Sequence, residues 1–132
     1  MKRTMICLII AILLSCKRKS EIISMLEDKN DGSYWVQKEQ LNNGEYSFST
    51  LQWVFYSDGS LQSLSSSDEN KKGSPSLLNI ESSSKGNWTF DQRDSTFEIC
   101  AVCIFKITKT NPDTIFMTEK KYKTHFILVK RR

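Results

Sequence analysis

The chain is poor in the residues that punctuate or staple a small protein. It has one histidine, His125, two prolines and five glycines among 132 residues. A single histidine excludes any site that needs two, including the His-Glu-x-x-His zinc helix. So little proline and glycine excludes collagen-like and low-complexity chains. No apolar run reaches the ~20 residues that a bilayer-spanning helix requires; the run Met5–Leu14 stops at ten. What is present is one domain's worth of chain. Its residues are 39% apolar and 11% aromatic, which excludes disorder.

The apolar run follows Lys2 and Arg3, the pattern of a signal-peptide core. It ends in Leu13-Leu14-Ser15-Cys16. That ending resembles the lipobox of bacterial lipoproteins, with Leu14 bulkier than its position usually carries. The resemblance implies cleavage before Cys16, a diacylglycerol on its thiol and an acylated amino end, so a palmitate-type anchor. An ordinary secretory signal that happens to contain a cysteine is the plainer alternative. Two or more acyl chains give stable anchoring where one does not. Cleavage would leave 117 residues, the 132 less fifteen, and 17 basic against 15 acidic side chains.

Lys17-Arg18-Lys19 begin the tether. Beside lipid they would favour anionic headgroups; a solvated linker is the alternative. By analogy with enterobacterial lipoproteins, Lys17 rather than an aspartate carries no inner-membrane retention signal. The acidic run of surface-exported Bacteroidota lipoproteins is missing. Together these point to the outer membrane, facing the periplasm.

Ser20 to Asp28 can make two helical turns with Ile22, Ile23 and Leu26 on one face. A helix that short needs something to pack on. From Ser33 onward the signals are those of strands. Tyr34–Leu41 mixes aromatic, apolar and polar residues, and Leu51, Trp53 and Phe55 alternate with Gln52, Val54 and Tyr56. Ser57-Asp58-Gly59-Ser60 supplies a tight turn into Leu61–Leu64. Asp68–Ser76 is the most polar stretch and reads as a long exposed loop. Leu77–Ile80, Trp88 with Phe90, Thr96–Lys109, Thr114–Thr118 and Thr124–Val129 follow, with turns at Asp91–Asp94 and Asn111-Pro112-Asp113. Eight or nine short strands spaced near ten residues predict an all-β antiparallel sandwich or barrel.

The order of motifs carries a resemblance. Gly32-Ser33-Tyr34-Trp35 opens the first strand, and Phe55-Tyr56-Ser57-Asp58-Gly59-Ser60 runs into an Asp-Gly hairpin. Gly86-Asn87-Trp88-Thr89-Phe90 opens a second Gly-Trp strand. Ser95–Ile99, Phe105–Thr108 and Asp113–Met117 then follow. This resembles the lipocalin-like domains of small Bacteroidota lipoproteins, over residues 25 to 131. The first motif departs, being Gly-x-x-Trp where lipocalins carry Gly-x-Trp. The resemblance implies an up-and-down β-barrel of about eight strands, filled by side chains or one small ligand. The expected organisation is a signal peptide over 1–15, a lipid-anchored tether and short helix over 16–31, and the barrel over 32–132.

Trp35, Trp53, Phe55, Trp88 and Phe90 are the candidates for an apolar ligand pocket. Plain core filling competes, because aromatics dominate small cores; the resemblance puts Trp88 at one end of the barrel. Cys100 and Cys103 are the two cysteines left to the fold. A thioredoxin-like site needs a helix start in a βαβ setting, which the surrounding strand residues do not provide. Zinc would need two more ligands. In one continuous strand the two thiols face opposite ways. If Ala101-Val102 is a turn, they meet across a hairpin and a disulfide is open to them.

His125 sits among strand residues with no nucleophile or acid beside it in sequence, and the carboxylates are scattered. These residues predict no catalytic set, no metal site and no cofactor. Residues 106–132 carry eight basic side chains against Asp113 and Glu119. That excess suits an anionic surface, or only protects strand edges; export argues against nucleic acid. The expected function is a non-enzymatic, lipid-anchored binding protein or carrier for a small apolar or amphipathic ligand. The alternative is an envelope protein–protein module, an assembly factor or inhibitor, with a packed barrel and a loop around Ser65–Ser76 as its contact.

Overall fold

The computed structural model describes residues 21–75, 86–100 and 103–132. The proposed signal peptide, Cys16, the basic tether, the Leu77–Ile80 segment and Ala101-Val102 lie outside the described residues. A six-residue helix spans 21–26. Nine strands follow: β1 (Tyr34–Gln40), β2 (Tyr46–Phe55), β3 (Ser60–Ser65), β4 (Ser74–Pro75), β5 (Gly86–Asp91), β6 (Thr96–Ile99), β7 (Cys103–Asn111), β8 (Thr114–Glu119) and β9 (His125–Arg131).

The sheet order is β2-β1-β9-β8-β7-β6-β5-β3-β4, and β2 also pairs with β3. That last pairing closes eight strands into an antiparallel barrel and leaves β4 outside, held by Leu64↔Pro75 and Ser65↔Ser74. The expected all-β up-and-down barrel is the observed architecture. Alternation decides which side chains enter it. Trp35, Phe55, Leu61, Trp88, Phe97, Ile99, Phe105, Ile107, Ile115, Met117 and Leu128 form one buried cluster.

Local chemistry sets the turns. Gly59 takes a φ of 83° at the β2–β3 hairpin, and Asp58 accepts from the Ser60 amide at 2.8 Å. Between β5 and β6, Asp94 accepts from the Thr96 amide at 3.1 Å. The region 96–109 is a hairpin, not one long strand. Ile99 pairs with Cys103, and Cys100 enters the loop at a φ of 55°.

The helix is part of the core. Ile22 and Leu26 are buried in the barrel cluster, with Ile23 and Met25 packed against it. Leu26 presents its carbonyl to the indole N–H of Trp35 at 3.3 Å, and the Asp28 amide donates to the Phe55 carbonyl. Burial of its apolar face supplies what so short a helix lacks by itself.

The stretch Asp68–Ser76 is largely exposed, as its sequence reads: Asn70, Lys71, Lys72, Ser74 and Pro75 face solvent, while Asp68, Glu69 and Gly73 are half-buried. Its first part folds back over the outer face of β1, β2 and β3. Tyr34, Val36, Val54 and Leu64 make a second buried cluster there, with Phe48 and Tyr56 alongside. Gln52, fully buried, clasps the loop at two points. Its amide donates to the Lys71 carbonyl at 2.9 Å, and its oxygen accepts from the Gly73 amide at 2.8 Å. Glu69 pairs with Lys38 and, at 3.8 Å, with Arg131. Residue 73 must be glycine, because a Cβ there would lie 2.2 Å from the Ser65 carbonyl oxygen. The loop's outer side meets water while its inner polar groups are matched by a buried partner.

Candidate functional site

In an up-and-down barrel alternate connections lie at the same end. The helix 21–26, the β2–β3, β5–β6 and β7–β8 turns and the chain's last residue share one end. Ile22 lies beside Ser95, Ile107 and Thr108 there. The β1–β2, β3–β5, β6–β7 and β8–β9 connections share the other.

The helix end is solid. Trp35 and Phe55 are 1% and 0% exposed, and Trp88 is buried with them. Ring contacts run on from Trp53 to Phe55 (6.4 Å), Phe55 to Trp88 and Phe97 (5.6 and 5.5 Å), Phe97 to Phe105 (6.4 Å) and Phe105 to Phe126 (5.7 Å). These edge-to-face and offset geometries are the favourable ones. Each indole N–H has an acceptor: Leu26 O for Trp35, Gln37 Oε1 for Trp53 and Tyr56 O for Trp88. Lys130 stands 5.6 Å over the Trp35 ring. Trp35, Phe55 and Trp88 are therefore buried core side chains, packed among the described neighbours.

The other end is different. Among the described residues, those there that alternate into the barrel are less enclosed. Trp53, Leu51 and Phe126 are half-buried, and Glu39, Ser65 and Cys103 are exposed. Their inward orientation follows from register. Leu51 is two residues from Trp53, Glu39 pairs with Phe126, and Cys103 pairs with the core residue Ile99. Beneath them Gln37 is buried and accepts from Trp53 at 2.9 Å, and Ser63 is buried opposite Trp53. The arrangement is amphipathic, with apolar faces around a buried amide and hydroxyl. Such a combination orients a small ligand while covering its apolar surface.

Of the five aromatic pocket candidates, the structure leaves Trp53 at this open end. Phe90 is half-buried against the core and lines a shallow surface groove with Thr89, Asp91, Gln92, Arg93 and Glu98. In that groove the Arg93–Asp91 pair closes on itself at 2.8 Å. Gln37, Leu51 and Phe126 were not singled out from sequence. Their signal is period two: Gln37 follows Trp35, and Leu51 precedes Trp53, on the same face.

Cys100 and Cys103 are both free thiols. The disulfide that a two-residue turn would allow is not formed, because the register is offset. The closing pair is Ile99↔Cys103, so Cys100 has no cysteine opposite it. Cys103 is exposed as a residue, but partial desolvation of its sulfur, followed by the neighbouring Cys100 and Glu119, pushes its thiol above its ordinary value, so at neutral pH it is protonated. His125 bonds Thr118 Oγ1 through Nδ1 at 2.9 Å on the surface. Among the described residues no three His, Cys, Asp or Glu side chains gather as a metal set.

The chain matches no family model, no curated protein and no solved structure. The fold and the open end are therefore the basis for a functional reading.

Proposed function

We propose that this protein is a lipid-anchored, lipocalin-like protein of the bacterial envelope that binds a small apolar or amphipathic ligand at the open end of its barrel. One observation carries the reading. Inward-facing Trp53 and Phe126 are half-exposed around the buried Gln37, whereas the aromatics of the helix end are enclosed. The anchor would be Cys16, with the mature protein in the outer membrane facing the periplasm. This part rests on the lipobox resemblance.

The test is extraction of the purified protein and mass spectrometry of what it carries. A stoichiometric apolar or amphipathic molecule is expected. It should be lost in Leu51→Arg, where a cation enters the mouth, with the circular dichroism unchanged. Protein that carries none, and binds no anilinonaphthalene sulfonate, would refute the reading. Cys16→Ala tests the anchor and should release the protein from membranes.

A second reading, an envelope protein–protein module, draws on the packed helix end. The continuous ring contacts support it, because they fill much of the helix end with the protein's own side chains. Crosslinking from residues 66–73 to one envelope protein would favour it.

A further inference from the structure

We propose that the loop rim of the open end docks on an anionic lipid surface. Two large apolar side chains stand exposed among the described residues, Leu41 at 47% and Tyr122 at 72%. Both occupy hairpin loops of the open end, the β1–β2 loop and the β8–β9 loop. Strands β1 and β9 pair over six positions, from Tyr34↔Arg131 to Glu39↔Phe126, so these two hairpins are neighbours on the rim.

Charge surrounds the tyrosine. Lys120, Lys121 and Lys123 are all exposed, and the Lys121 ammonium lies 4.8 Å over the Tyr122 ring. Lys120 leans to Asp94 at 3.7 Å. Among the described residues Lys121 and Lys123 form no close ion pair, though both lie near enough to the Glu119 carboxylate to stabilise its charge. The Glu119 carboxylate instead accepts from the Lys121 and Tyr122 amides and holds the tip in shape. On the neighbouring tip Glu45 is bound by Asn43 at 2.9 Å. Farther round, Asp68 meets Lys71, and Glu69 meets Lys38 and Arg131. The β1–β2 tip carries the exposed Glu39 and Glu45, so the positive charge beside the apolar tips is concentrated on the Tyr122 hairpin.

The shape decides between kinds of partner. Two narrow tips, each led by one apolar side chain, offer far less than the ~800 Å² per side that a stable protein interface uses. A bilayer accepts such separate insertions. Tyrosine is favoured at the membrane–water interface, and lysines beside it meet anionic headgroups. Docking there would set the mouth against the phase that holds an apolar ligand. The inference thus rests on the reading of the open end as the ligand's entrance.

The test is lysine-by-lysine acetylation of the full-length protein, read by mass spectrometry. It is run on phosphatidylcholine vesicles and on vesicles containing phosphatidylglycerol. Labelling of Lys121 and Lys123 should fall roughly threefold or more on the anionic vesicles and recover at high salt. Lys109, at the helix end, should not change. The Leu41→Ser, Tyr122→Ser double variant should lose the protection with circular dichroism unchanged. Equal labelling on both vesicles, even with the protein vesicle-bound through its N-terminal segment, would overturn the proposal. So would equal protection by soluble glycerol phosphate, which marks a simple anion site, or by lipid-free envelope extract, which marks a protein partner. Ligand content is measured separately. A protein that keeps its ligand without docking refutes docking alone, and one that docks without a ligand refutes the binding reading alone.

Discussion

Truncating Leu26 to alanine should weaken the whole barrel and not only the six residues that carry it. Leu26 is 1% exposed and sits in the same cluster as Trp35, Phe55 and Ile107. A buried leucine cut to alanine costs about 2–5 kcal/mol, the spread reflecting how far the site collapses. Here a ceiling operates, because a short terminal helix can undock locally. The docking it would forfeit is chiefly the burial of Ile22 and Leu26, about 1.5–3 kcal/mol each before the ordering cost. The loss should therefore fall near 2–3 kcal/mol. For a fold of roughly 110 residues, an unfolding entropy of about 2.1 cal/mol/K per residue converts each kcal/mol into about 4 °C. The expected fall in Tm is about 8–12 °C, read by circular dichroism. Amide exchange at Trp35 and Phe55 should quicken in parallel. An unchanged Tm, with the amides of residues 22–27 already exchanging fast in the wild type, would refute the reasoning. The helix would then be a tether lying on the barrel and not a part of it.

The clasp offers a second measurement. Gln52→Leu removes the partners of the Lys71 carbonyl and the Gly73 amide, and at about 1 kcal/mol for each bond the loss should be near 2 kcal/mol in urea unfolding. Protease cleavage near residues 66–73 should rise with it. Both thiols should alkylate in the folded protein, and the rate at Cys103 should climb with pH to a midpoint above that of an ordinary thiol. Acid should destabilise the fold through Asp31, Asp94 and Glu119. Their carboxyls are held below the usual range, chiefly by the Ser33 side chain, the Thr96 side chain and the Tyr122 amide respectively. A depressed folded pKa gives stability that is present above the unfolded value, about 4, and lost as pH falls through the folded one. A thermal titration from pH 6 to 2 should show that loss, and Asp94→Asn should flatten part of it.

Strand existence was legible because each β-strand leaves its own local mark. Alternation at Leu51–Tyr56 and the Asp58-Gly59 turn placed the β2–β3 hairpin. The helix was legible as a face, Ile22, Ile23 and Leu26, that needed a surface. The outer cluster was not, since its covering loop is Asp68-Glu69-Asn70-Lys71-Lys72-Gly73, polar throughout. Its trace in the sequence is the loss of alternation at Tyr34-Trp35-Val36 and Val54-Phe55, where both faces are buried. The division of the aromatics was equally hidden. Trp35 and Trp53 are direct cross-strand partners on the inner face, yet Trp35 is enclosed and Trp53 half-buried, a difference that local pattern does not carry. Cys100 and Cys103 depended on a one-residue choice of register, which local sequence does not specify.

The β1–β9 pairing has a consequence for how the chain is made. Most neighbouring strands of the barrel are joined by hairpins and can form as soon as they are synthesised. The pairing of Tyr34–Glu39 with Phe126–Arg131 joins the first strand of the barrel to its last and waits until β9 has been made. Until then β1 and β8 are bare edges, open to pairing with other chains. A ribosome product that stops short of residue 125 would carry most of the aromatic core and still be an open sheet. Completion of the seven-residue β9 converts an aggregation-prone curl into a closed surface, so a stop just before it should be poorly tolerated although it removes so little.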